Sequence, residues 1–143
     1  MFSNSRLQTI VLTSDMTQAV RFYKDVLELK VIGESDGSVV FDVGGSDLRV
    51  SPVPSTRPSE HTVLGFAVSN LETAIKYLDK KGIITERFKH LAHQANGIVV
   101  TPEGSRVVLI RDPDGNLLSV VQFRTDSDAP ANMAYESSWN LPR

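Results

Sequence analysis

"LQTIVLTSDMTQAVRFYKDVLELKVIGE", residues 7–34, changes its hydrophobic period partway along. Up to Thr13 the residues are β-favouring, and alternation puts Gln8, Ile10 and Leu12 on one side of a strand. From Met16 the apolar positions are Met16, Ala19, Val20, Tyr23, Val26 and Leu27, the spacing of one helical stripe. Between the two regimes stand Ser14 and Asp15, either of which can cap a helix, with Gln18 placed to close a capping box from Asp15. The plan returns in "TVLGFAVSNLETAIKYLDKKGIITE", residues 62–86, which aligns without gaps so that Asp15 meets Asn70 and Ala19 meets Ala74. Here Ser69 or Asn70 is the cap, Glu72 can close a box from Ser69, the stripe is Leu71, Ala74, Ile75 and Leu78, and Gly82 is a left-handed stop.

After each helix come short β-rich runs separated by turn chemistry: "ESDGS", "VGGSD", "TPEGS" and "DPDG". The predicted plan is β-α-β-β-β written twice. Strands are expected near 6–13, 29–35, 38–43 and 47–53, then 62–68, 83–88, 105–111 and 117–123, with helices over 15–27 and 70–81. "GIVV", 97–100, is an additional strand without a place in that plan. The first module is read as 1–54, a linker as 55–60 within the proline- and serine-rich "SPVPSTRPSE", the second module as 61–123, and a polar tail as 124–143. Tyr135 and Trp139 leave docking and disorder of that tail equally open.

The composition excludes several classes of function. A chain of 143 residues, 41% hydrophobic and 22% charged, fits one globular domain overall. A formal net charge of −2 with both signs scattered offers no basic stripe, so neither nucleic acid nor a membrane surface is an expected partner. Without cysteine there is no disulfide, thiolate nucleophile or cysteine-bound metal. The start, "MFSNSRLQTIVL", lacks a basic region followed by a long apolar core, and a cytoplasmic location is expected.

Three stretches resemble the vicinal oxygen chelate superfamily, which includes glyoxalase I, extradiol dioxygenases, and fosfomycin- and bleomycin-resistance proteins. "TSDMTQAVRFYKDVLELKV" is similar to its aspartate-helix-"FY" segment, "FDVGGSDLRVS" to its glycine turn into the fourth strand, and "RDPDGNLLSVVQF" to its closing hairpin. The resemblance covers roughly residues 6 to 123. It implies an α+β fold of two βαβββ modules forming a curved mixed sheet around a cavity, in a homodimer. Many chemistries share this scaffold, so the cavity residues must carry the functional argument.

Metal-using members place donors on the first and fourth strands of each module. Carried over by spacing, these positions are Gln8, Arg49 or the neighbouring Ser51, Val63 and Ser119, the last where relatives carry a glutamate after "DPDGN". Only Gln8 among them is a donor that a metal uses, and it is neutral. A hard dication needs anionic or imidazole ligands to offset dehydration. A guanidinium about 4 Å from one costs roughly 8 kcal/mol at an effective dielectric of about 20. No cofactor is therefore expected; the alternative is a displaced zinc, nickel, manganese or iron site using Gln8 and His61, with His90 and His93 at helical spacing as further imidazoles.

The expected lining is a mostly apolar cup of Gln8, Ile10, Phe41, Arg49, Ser51, His61, Val63, Gly65, Ser119 and Val121, with Leu12, Ala67 and Leu117 sharing the faces set by alternation. Phe41, with Trp139 from the tail, is the aromatic candidate for stacking, whereas Phe22 and Tyr23 read as helix-packing residues. Arg49 favours an anionic ligand unless it pairs with Asp42 or Asp47 or extends into water. The expected function is metal-free binding of a small organic molecule. The alternative is a glyoxalase-like lyase, isomerase or dioxygenase, for which His61 is the one catalytic candidate. A dimerisation module with a closed cavity is a third reading.

Overall fold

The computed structural model describes residues 1–125. The fold is α+β. Strands β1 (Gln8–Thr13), β2 (Lys30–Ser35), β3 (Ser38–Val43) and β4 (Ser46–Pro52) form a mixed sheet in the order β1-β4-β3-β2, with β1 parallel to β4 and the other pairs antiparallel. A second sheet has the order β5-β8-β7-β6, from β5 (Thr62–Ala67), β6 (Val99–Val100), β7 (Arg106–Arg111) and β8 (Leu117–Gln122). The helices are α1 (Met16–Val20), continued by π-helical turns over Arg21–Val26, and α2 (Leu71–Lys80). Two compact units result: Met1–Gly65 with Ile110–Leu118, and Phe66–Leu109 with the described residues from Ser119 onward.

In the first unit Asp15 caps α1 through the Gln18 N–H. Alternation along β1 then buries Val11 and Thr13 while leaving Gln8, Ile10 and Leu12 exposed. The helical segment packs on the buried side: α1 contacts β4, Tyr23 faces Phe41, and Ala19, Phe22, Val39, Leu48 and Val50 are buried. The π-helical turns, marked by the Leu27 N–H bonding to the Phe22 carbonyl, let two consecutive aromatic residues share one buried face, edge to face with centroids 5.0 Å apart. The hairpins β2–β3 and β3–β4 turn on Asp36-Gly37 and Gly44-Gly45, each with positive φ at both central residues as a tight two-residue connection requires.

The "DPDGN" turn, expected only to close a hairpin, is the fastening point of this unit. Asp112 is buried and its Oδ2 accepts the Tyr23 hydroxyl at 2.6 Å and the Asn116 side-chain amide at 2.8 Å. Its Oδ1 accepts the backbone N–H groups of Asp114 and Asn116, both at 2.9 Å. Burial first, and the neighbouring Asp112 charge second, push the Tyr23 phenol far above its ordinary pKa, so it remains a donor. Asp114 Oδ1 accepts the Ser14 N–H at 2.9 Å and the Thr56 hydroxyl at 2.8 Å. Ser59 and Gly115 add further links, through Leu117 N–H to Ser59 Oγ and Ser59 N–H to the Gly115 carbonyl. These bonds tie the hairpin tip and Ser59 into the unit that contains residues 1–65 and 110–118.

In the second unit Asn70 rather than Ser69 caps α2, through the Thr73 N–H, and Glu72 turns away from the expected capping box to pair with Arg106. Gln122 Oε1 satisfies the Leu71 N–H at 2.8 Å. Gly82, at φ 77°, ends the helix as expected, with the Ile83 N–H bonding back to the Leu78 carbonyl. The strand expected over 83–88 does not form: only Glu86 bridges Leu109 of β7. The edge is shared instead with "GIVV", whose Val99 and Val100 pair with Val107 and Arg106, while Ile98 is fully buried. The intervening loop is tied by Arg87 to the carbonyls of Gln94 and Ala95, and a Cβ on Gly97 would lie 2.5 Å from Thr85 Oγ1.

Three stability measurements follow. Tyr23→Phe, which removes one donor from a buried carboxylate, should cost about 1.5–3 kcal/mol in urea unfolding, and a loss below about 0.5 kcal/mol would contradict the role given to this bond. Gly115→Ala should destabilise by roughly 1–3 kcal/mol, because φ is 84° there and the new Cβ would lie 2.9 Å from Pro58 Cα. Gly33→Ala, with nothing within 4 Å of its Cβ, is the tolerated control. Burial opposes ionisation of Asp114, but hydrogen bonds from the Ser14 N–H and the Thr13, Thr56 and Ser14 hydroxyls outweigh it and lower its pKa below 3.8. Its contribution is thus complete above 3.8 and lost as pH falls through the lower folded value; Asp114→Asn should flatten that acid limb in pH-dependent unfolding.

Candidate functional site

The face of the first sheet opposite α1 brings together four of the residues expected to line a site. The parallel register sets Gln8 beside Asp47, Ile10 beside Arg49 and Leu12 beside Ser51. All have the same pleat direction, and Ile10 and Leu12 are 55% and 46% exposed. The antiparallel neighbour adds Val40 beside Arg49, and Ser38, whose hydroxyl lies 2.8 Å from that of Ser51. The expectation for Phe41 is corrected: it is one residue out of phase with this face, fully buried, with its ring 6.1 Å from that of Tyr23. Successive strand residues point to opposite sides, so Val40 takes the place on the open face.

Arg49 does not make the ion pair that would have neutralised it. Asp47 is engaged by Arg6 at 2.8 Å, and Asp42 accepts the Gly45 N–H within its turn. The Arg6 hydrogen bond is the main cause holding the Asp47 carboxyl below its ordinary pKa, with Arg49 a smaller charge contribution. Arg49 instead donates from Nη1 to Ser35, to Oγ at 2.9 Å and to the carbonyl oxygen at 3.4 Å. Among the described residues no carboxylate lies within ion-pair distance of its guanidinium. Ser35 and Arg6 were not among the expected site residues. Arg6 shares the alternation of Gln8 and could have been suspected; the reach of Arg49 to Ser35 depends on strand order.

The remaining candidates divide among other elements. His61 is exposed and immediately precedes β5; Val63 and Gly65 follow on that strand, both exposed on alternate positions with Ala67. Ser119 and Val121 are half-buried at alternate positions of β8, while Leu117 in the same alternation is buried. His93 is a loop clamp: Nε2 accepts the Phe88 N–H at 3.0 Å and Nδ1 meets the Gly97 carbonyl at 2.8 Å. Those partners assign the proton to Nδ1 and leave neither ring nitrogen for a metal. His90 stacks obliquely beside Phe88, with centroids 5.8 Å apart. Trp139 and Tyr135 lie outside the described residues.

The donors at hand do not fit the divalent cation that the resemblance implies. Gln8 is an uncharged amide, the position across from Ile10 is a cation, and the nearby Asp47 carboxylate is already held by Arg6. Among the described residues no three His, Asp or Glu side chains are grouped as a metal would require.

Among solved structures, lactoylglutathione lyase from Agrobacterium tumefaciens is similar with a TM-score of 0.65 and 20% identity, over 83% of this chain and 93% of that one. A glyoxalase family protein from Enterococcus faecalis gives 0.64 and 21%, over 85% and 100%. A glyoxalase/bleomycin resistance protein/dioxygenase from Alicyclobacillus acidocaldarius gives 0.63 and 18%, over 89% and 97%. At these identities the likeness shows the fold. No curated protein matches the sequence. The family model of the Glyoxalase/Bleomycin resistance protein/Dioxygenase superfamily matches residues 6–120, so the strand-helix repeat, the two sheets and the closing hairpin are those of that superfamily, to which this chain belongs.

Proposed function

We propose that this chain is a small-molecule-binding member of its superfamily that works without the metal, holding an anionic organic ligand on the open face of the first sheet. The observation that carries this reading is the state of Arg49: a guanidinium held by a neutral serine, with no carboxylate in ion-pair distance among the described residues, beside the exposed apolar side chains of Ile10 and Leu12. A fixed cation next to apolar surface is complementary to a carboxylate attached to a hydrocarbon or aromatic body. Gln8 supplies an amide that can donate or accept at the edge of the same face. His61, exposed and immediately before β5, is not on the strands that carry this face, so the reading offered is binding.

Benzoate and its neutral counterpart benzamide provide the test, with affinities read by ligand-observed NMR. Wild-type protein should prefer benzoate, and Arg49→Ala should reduce the benzoate affinity by about 10- to 100-fold while leaving benzamide nearly unchanged. Equal affinities in the wild type would remove the anion proposal. Titration with nickel, zinc and iron(II) should show no stoichiometric uptake; tight uptake abolished by Gln8→Ala would overturn the metal-free reading.

A further inference from the structure

We infer that Ser35 is a positioning residue, which commits Arg49 to presenting one edge of its guanidinium to the ligand. The inference rests on the anion-binding reading above. Across the sheet, register places Ile10, Arg49, Val40 and Gly33 in one row, from β1 through β4 and β3 to β2. The row has no side chain at its Gly33 end, and the arginine extends in that direction to Ser35, the last residue of β2. Val40, over which it must pass, is only 9% exposed although it belongs to the open face.

Nη1 is engaged at Ser35, 2.9 Å from Oγ and 3.4 Å from the carbonyl oxygen. An anion approaching end-on, between Nη1 and Nη2, would have to compete with the serine for Nη1. The edge left intact is Nε–H with one Nη2–H, two parallel donors at the spacing of the two oxygens of a carboxylate. A free arginine side chain loses rotamer entropy when it binds a ligand, whereas one already tethered has lost part of it beforehand. Ser35 would thus raise affinity for a carboxylate without touching it, and only through Arg49. The turn that follows, Asp36-Gly37, fixes the end of β2 and with it the position of the tether.

The measured quantity is the ratio of benzoate to benzamide affinity, which a merely structural change moves little because both probes share one body. Ser35→Ala should lower that ratio about three- to tenfold, the value of a hydrogen bond and of lost orientation. Ser35→Thr, which retains the hydroxyl, should restore it, and Arg49→Lys should not, since one ammonium cannot hold the serine and present a two-donor edge together. If Arg49→Ala collapses the ratio but Ser35→Ala leaves it within about twofold of wild type, Ser35 has no positioning role while the anion reading stands. If Arg49→Ala itself leaves the ratio unchanged, both are overturned.

Discussion

A carboxylate removed from water must find donors for each of its oxygens, and in this chain that requirement organises the first unit. Asp112 is 6% exposed and receives four hydrogen bonds, from the Tyr23 phenol, the Asn116 amide and two backbone N–H groups. The backbone pair sets the shape of the turn, and the phenol ties that turn to the helical segment at the centre of the core. Tyr23 in turn touches Phe22 and Phe41, so one buried bond joins a turn near residue 112 to a sheet formed by residues 8–52. Asp114 repeats the device in a more open setting, holding Ser14 at the start of the helix and Thr56. The two aspartates of "DPDGN" thus work in the architecture, and neither is left for chemistry.

With those acids committed, the open face of the first sheet has a different electrostatic character from a metal site. Its anion, Asp47, is paired with Arg6, and its cation, Arg49, is held by a neutral group. A dication bound there would have to overcome the repulsion of the guanidinium with an amide and hydroxyls as ligands, which is unfavourable in both terms. An organic anion meets the opposite balance. The same reasoning separates scaffold from activity: superfamily membership follows from the match over residues 6–120, while the ligand class proposed for the chain rests on the side chains of one face.

Local periodicity made most of the elements readable. The strand alternation of β1, the stripe of α2, the cap at Asp15 and the stop at Gly82 all lie in short windows where one physical preference dominates. The departures have local causes as well. Over 83–88 the expected pairing is reduced to the Glu86 bridge, with Val99 and Val100 taking up the rest of the edge of β7. Phe41 was misplaced because an apolar residue in a two-sided strand satisfies either face until the register is known; a shift of one residue moves it from ligand to core.

The amino-acid sequence by itself determined the repeated strand-helix plan and the turn chemistry, because each depends on residue type and short spacing. Tertiary structure alone decided that Arg6 takes Asp47, that Arg49 crosses β3 to reach Ser35, and that Asp112 receives the Tyr23 hydroxyl. Those pairings join residues 41, 14 and 89 positions apart, and they arise from strand order and burial. The free energy of a charge is set by its neighbours in space, which chain spacing does not encode beyond a few residues.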